Sequence, residues 1–245
     1  SGERLSADVV IVNADVAAVA DGRLGATARR AVPRVAAEAR SLSAVTWTML
    51  AEAEGFALHH HTVFFSRDYP GEFDALQRGR AVPADPTVYV CAQDRAPGSA
   101  DPFGPERLLM LINAPPNGDT ARFSPEALAA CENATLARLA ACGLRLRIVP
   151  DACTVTTPAD FHRLFPGTGG ALYGRASHGW MASFQRPGSR TRIPGLYLAG
   201  GSTHPGPGVP MAALSGRLAA AAATADRAST SRSPRAAISG GTSTR

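Results

Sequence analysis

Apolar positions along this chain fall into short runs separated by glycine and proline, and the spacing of those runs changes character along its length. Ala7-Asp8-Val9-Val10-Ile11-Val12-Asn13 is a near-continuous apolar run bounded by polar residues, the pattern of a strand buried on both faces. Such a strand needs parallel neighbours, which arrive through crossovers, and none precedes it here. The domain it belongs to is therefore expected to be incomplete. From about residue 42 the pattern predicts strands over 44–52, 58–66, 87–92 and 107–113 and a short helix over 71–80. Pro83, Pro86, Pro115 and Pro116 punctuate these runs, as expected of a mostly antiparallel sheet with hairpin-like connections.

A long helix is predicted from Ser124, placed as its N-cap with Glu126 in the first turn, to about Cys142, where Gly143 ends it. A strand over 144–149 should follow. Gly195-Leu196-Tyr197-Leu198-Ala199 reads as a short buried strand that runs into a glycine- and proline-rich turn, and a helix should run from Val209-Pro210-Met211 to about Ala225, with Met211, Leu214 and Leu218 on one face. Beyond Arg227 the sequence is aperiodic and rich in Ser, Thr, Arg and Gly, so it is expected to be disordered.

At 245 residues and 45% hydrophobic the chain can bury a sizeable core. The net charge of +5 invites a nucleic-acid reading, but Arg227, Arg232, Arg235 and Arg245 occur in a tail without acids, leaving 21 basic and 20 acidic groups over residues 1–226. No basic stripe with interleaved aromatics is present, so no nucleic-acid partner is expected. Every basic side chain is Arg, which excludes a Walker A loop and Schiff-base chemistry on a lysine. Cys91, Cys131, Cys142 and Cys153 are too widely spaced for CxxC motifs and read as small buried apolar residues. No run approaches the length of a spanning helix and Ser1-Gly2-Glu3-Arg4 lacks the features of a signal peptide, which points to a cytoplasmic location.

Strand, glycine-rich turn and helix N-terminus together form a device for holding an anionic or polar ligand edge: glycines let backbone approach closely, while free N–H groups and the helix dipole face the ligand. The string GLYLAGGSTHPGPGVPMAALSG, Gly195 to Gly216, joins the three, with Pro205, Pro207 and Pro210 stiffening the turn and Gly206 and Gly208 freeing it. This segment resembles the C-terminal flavin segment of the bacterial phytoene-desaturase-type carotenoid oxidoreductases, within the flavin amine oxidase-like group. Ala7 to Asp15 is similar to the strand preceding the family's substrate domain, and Phe184-Gln185-Arg186-Pro187 to its aromatic-x-R-P segment. The middle region, including Gly55-Phe56, His59 to Tyr69 and Asp85 to Val90, most resembles the subgroup that desaturates 1-hydroxycarotenoids at the 3,4 position. The resemblance covers nearly everything up to residue 226.

The resemblance implies an α/β fold: an incomplete FAD-binding, Rossmann-like domain with a mixed, mostly antiparallel substrate domain. Residues 1–34 would be a remnant of the FAD-binding domain, 35–160 the substrate domain, 161–226 the C-terminal FAD-binding segment, and 227–245 a disordered tail. FAD contacts would fall on Gly200, Gly201, Thr203, Gly208, Val209, Pro210 and Met211. The family's opening G-x-G-x-x-G turn and the acid after it are absent from this sequence, so the chain reads as a C-terminal half. Gly167 to Gly174 is glycine-rich but lacks a preceding strand; a loop near the flavin or the substrate entrance is the expectation for it.

The resemblance further implies hydride removal from a saturated carbon pair beside a conjugated polyene, with FAD as acceptor and proton loss completing the double bond. No catalytic base is assigned to any residue. The hydrophobic carotenoid should bring the enzyme to a membrane surface, peripheral to the inner membrane, with a quinone or oxygen taking the electrons. The alternatives are a non-catalytic fragment, or another flavin enzyme such as an amine oxidase or carotenoid isomerase; the absence of Lys counts against an amine oxidase.

Some residues carry two readings. His59, His60 and His61 suggest a metal, but successive strand residues alternate faces, so no metal is expected. His204 either orients the cofactor or fixes the loop. Arg175 and Arg186 either steady a reduced flavin or pair with a carboxylate. Trp47, Tyr173, Trp180 and Phe184 either line an apolar channel or belong to the core.

Overall fold

A computed structural model describes residues 3, 5–79, 81–96, 98, 102–176 and 182–232. Two sheets organise the chain. The smaller joins β1 (Val10–Val12) and β7 (Leu196–Leu198) in parallel, pairing Val10 with Leu196 and Val12 with Leu198. The larger holds β2 (Ser43–Glu54), β3 (His61–Phe64), β4 (Val88–Ala92), β5 (Glu106–Ala114) and β6 (Arg145–Thr156). Its order is β3-β4-β5-β2-β6 and all of its pairings are antiparallel.

The larger sheet carries the main core. Trp47, Met110, Ile112, Val88 and Val90 on its strands are fully buried, and α3 (Pro125–Ala141) lays Leu139 and Cys131 against them. Trp47 is thus a core residue, flanked in register by Met110 and Val155. The caps predicted for α3 hold: Ser124 Oγ accepts from Ala127 N at 3.2 Å, and Gly143 adopts φ +90°, the left-handed conformation that ends helices.

Several elements differ from expectation for local reasons. The strand expected to stop at 149 continues to Thr156 through a bulge, the register passing from Met49↔Cys153 to Ala51↔Ile148. Pro150 is tolerated because β6 lies at the sheet edge, where a missing N–H breaks no ladder. The helix expected over 71–80 begins earlier as α2 (Tyr69–Asp74), because Asp68 accepts from Gly71 N at 3.0 Å, and it ends in a π-helical turn over Ala75–Gly79. Two short helices were not anticipated. Asp15 caps α1 (Val16–Ala20) by accepting from Ala17 N at 2.8 Å, and a Thr157/Asp160 capping box opens α4 (Pro158–Leu164). The terminal helix α5 runs Val209–Arg232, so residues 227–232 are helical rather than disordered; residues 233–245 lie outside the described residues. Burial of β1 on both faces is not found either: with β7 as its one partner among the described residues, Val10 and Ile11 remain 47% and 46% exposed.

Candidate functional site

β7 ends at the centre of the site. Ala199 N donates to Val12 O and Asn13 Nδ2 to Ala199 O, so the exit of β1 and the exit of β7 are fastened side by side. The chain then turns through Gly200 and Gly201, continues across the cis His204–Pro205 bond, and enters α5 at Val209. Gly200, Gly206 and Gly208 have φ of +129°, +139° and +98°, values that a side chain at these positions would strain.

The back of this turn is packed. Ser202 Oγ accepts from Val16 N at 3.0 Å, tying the turn to the start of α1. Thr203 is fully buried and its hydroxyl donates to Gly200 O at 2.7 Å. Ser215, also fully buried on α5, accepts from Gly200 N at 2.7 Å. Between Asp15, Gly167, Gly174 and Ser202 a space of only about 20 Å³ remains.

Arg186 is the clamp of the assembly. It is 5% exposed, donating through Nη1 to Tyr173 O (2.7 Å) and Gly201 O (3.2 Å) and through Nη2 to Arg175 O (2.6 Å). One guanidinium therefore joins the 173–175 loop to the glycine turn. Desolvation lowers its pKa, opposed by the nearby charge of Asp15. Asp15 is pushed up by burial, an effect its bonds to Ala17 and Ser202 and the charge of Arg186 counter. In this structure Arg186 serves as a brace on backbone carbonyls, with the Asp15 carboxylate as a nearby charge. Arg175 donates to Gln185 Oε1 at 3.0 Å.

The front of the turn is open. A Cβ added at Gly208 would meet nothing within 4 Å; Val209, Pro210 and Met211 are exposed, Val209 by 84%. The first turn of α5 carries no acid, so its N–H groups and positive dipole end face outward without a side-chain counter-charge. Of the expected contact residues, Gly208, Val209, Pro210 and Met211 stand together at this open end, Gly200 and Gly201 are half-buried behind it, and Thr203 is internal. His204 stacks on Phe184 with centroids 5.6 Å apart, and its N–H donates to Pro187 O at 2.8 Å. Phe184 and Tyr173 are exposed; Trp180 lies outside the described residues.

The Gly167–Gly174 loop packs between the two sheets. A Cβ at Gly167 would stand 2.9 Å from Ala17 O, and one at Gly170 2.4 Å from Pro158 O. Its glycines serve close backbone approach. A separate apolar cavity of about 540 Å³ lies between α3 and the 82–84 segment, walled by Val82, Pro83, Phe123, Ala127, Ala130 and Pro158 among others. No local pattern of residues marks it, because small α3 residues open the space while distant segments enclose it.

A model of the flavin-containing amine oxidoreductase family matches residues 1–224. The chain belongs to that family. Within the flavin-containing amine oxidoreductases it is 55% identical over 244 residues to the hydroxyneurosporene desaturase of Rubrivivax gelatinosus, covering 100% of this chain and 46% of that protein. It is 47% identical over 231 residues to the hydroxyneurosporene desaturase of Cereibacter sphaeroides, covering 94% of this chain and 46% of that one. The 1-hydroxycarotenoid 3,4-desaturase of a Flavobacterium is 32% identical over 162 residues, 65% of this chain and 33% of its own length. The chain thus spans about half the length of the hydroxyneurosporene desaturases it matches. Among the described residues no helix is long and apolar enough to cross a membrane.

Proposed function

We propose that this chain belongs to an FAD-dependent carotenoid desaturase that introduces the 3,4 double bond into a 1-hydroxycarotenoid such as hydroxyneurosporene. The observation that carries the reading is the turn at Gly200–Gly208: braced from behind by Arg186, Thr203 and Ser215, and open in front at an acid-free helix N-terminus. That geometry suits a flat ligand with an electron-rich edge. FAD held there would supply a hydride acceptor. Gly200, Gly201, Gly208, Val209, Pro210 and Met211 would hold it, with Thr203 positioning Gly200 from within.

What the chain's residues do is bind and orient. The donors at the start of α5 meet developing negative charge, and the Arg186 brace keeps the turn from rearranging as that charge appears. The two sheets support assigning residues 1–34 and 161–226 to the flavin side and 35–160 to the substrate side. The apolar cavity beside α3 is of a chemistry to receive part of a carotenoid. So hydrophobic a substrate is best collected at a membrane surface, and the exposed Phe65 and Tyr69, in edge contact at 5.6 Å, offer apolar area for docking. A quinone or oxygen would be the final electron acceptor.

The test is a flavin absorbance titration of this chain beside a longer form that includes a preceding G-x-G-x-x-G region. Saturable FAD binding by the longer form, with anaerobic bleaching of its absorbance by a 1-hydroxycarotenoid and a product lacking two hydrogens, is expected. Absence of flavin binding in both forms would overturn the reading.

A further inference from the structure

The free edge of the larger sheet carries chemistry that the glycine turn does not use. The register of β3 with β4 sets His61 opposite Cys91, so both side chains stand on the same face. His60 precedes the strand at a bend. The alternation that argued against a metal from sequence holds only within a strand, and here the bend releases it. One ligand atom from each of His60, His61 and Cys91 lies within 4.8 Å of the other two. The two imidazoles meet edge to face with centroids 4.4 Å apart, and His60 Nε2 stands 3.8 Å from Cys91 Sγ.

The surrounding bonds define what these atoms can do. His60 Nδ1 is 2.9 Å from Arg95 O. A carbonyl only accepts, so in the neutral ring Nδ1 carries the proton and Nε2 presents its lone pair toward the sulfur. The Arg95 guanidinium is held by Glu106 at 2.7 to 3.2 Å, and Glu106 is 3% exposed. His61 Nδ1 lies 2.8 Å from the Tyr89 hydroxyl. A carbonyl on one imidazole and a hydroxyl at the other are the outer contacts that orient histidines in metal sites.

We propose that His60, His61 and Cys91 form a binding site for a borderline divalent transition-metal ion, best matched by zinc. Two imidazole nitrogens and a thiolate suit zinc and are poor ligands for magnesium or calcium. Tetrahedral zinc places a nitrogen and a sulfur ligand about 3.5 Å apart, and the His60–Cys91 pair at 3.8 Å needs only a small closure. Three protein ligands leave the fourth position to water, which reaches the site past the exposed His61. As the sulfur–metal bond forms, the Cys91 proton passes to solvent. The ion ties the bend at His60 and the edge strand β3 to β4. Its role is to secure the sheet edge, independent of flavin.

The experiment titrates Zn²⁺ into the reduced, metal-free chain against a chromophoric chelator and records the absorption of the Co²⁺ form. One ion per chain, a thiolate-to-cobalt charge-transfer band and a higher melting temperature with excess Zn²⁺ are expected. Cys91→Ser and His61→Gln should each weaken binding by more than about tenfold and Tyr89→Phe by about tenfold, while His59→Gln and Cys153→Ser leave it unchanged. Wild-type affinity in His61→Gln, loss of binding in Cys153→Ser, absence of the thiolate band, or no saturable binding would overturn the proposal. Should Cys91→Ser fold poorly, the exposed His61→Gln variant decides alone.

Discussion

Replacing Arg186 with Met keeps a long apolar stem and deletes the guanidinium that joins Tyr173, Arg175 and Gly201 by bonds of 2.6 to 3.2 Å. Hydrogen bonds from a charged donor contribute about 1.5–3 kcal/mol each. The three share one side chain, and water can reach part of the vacated space, so the expected loss is about 3–4 kcal/mol rather than their sum. For a chain of this length that corresponds to a fall in melting temperature of roughly 6–16 °C. Arg186→Lys should lie between, since an ammonium does not reproduce the planar fork that serves three carbonyls at once. Urea unfolding followed by circular dichroism reads the loss directly. A pH series adds a signature of its own. Burial already raises Asp15, and Arg186 opposes that rise, so in the Met variant the carboxyl should titrate higher still. A carboxyl whose folded pKa exceeds its unfolded one binds protons preferentially in the folded state, so stability rises as pH falls through the folded value. The Met variant should therefore recover part of its lost stability on mild acidification. A loss under about 1 kcal/mol, with no such recovery, would refute the brace as the organiser of the turn.

The bond from Arg138, a side chain only 7% exposed, is the main cause holding Asp85 down at about 2 from 3.8. Its contribution is present above about pH 4 and is lost as pH falls through about 2; partial solvent access limits it to about 1 kcal/mol. Unfolding of the wild type and of Asp85→Asn should accordingly converge in strong acid, and an equal gap at neutral and acid pH would count against the pair. Gly118→Ala would put a Cβ 2.0 Å from Pro158 O; a destabilisation of at least about 2 kcal/mol is expected from denaturant midpoints, and an unchanged midpoint would show that the backbone there yields.

The parts of the fold that announced themselves in sequence were those with local causes. Ser124, Glu126 and Gly143 bracket α3, and the glycine string names its own turn. The Thr157-x-x-Asp160 box was equally local, with Pro158 at the first helical position, and could have disclosed α4. Other features depend on distant partners. That β6 runs on through Pro150, past the strand expected over 144–149, depends on edge position, which is a property of the sheet. The Arg186 brace ends on backbone carbonyls, which leave no mark in a sequence. The His60–Cys91 approach is created by the β3–β4 register and a bend, neither of which follows from the side chains alone. Thr203 stands in the glycine string that the sequence picks out, but its full burial comes from the turn folding back on Gly200.

The fastening of Asn13 to Ala199 joins positions 186 apart, with the whole antiparallel sheet strung between them. Loop-closure entropy grows only with the logarithm of length, so shortening that span by a factor of about 2.5 would recover only about 0.8 kcal/mol. The larger sheet is in this sense an inexpensive insertion between two neighbouring strands. Its size and cavity can be altered with little entropic penalty on closing the turn that sits at the junction.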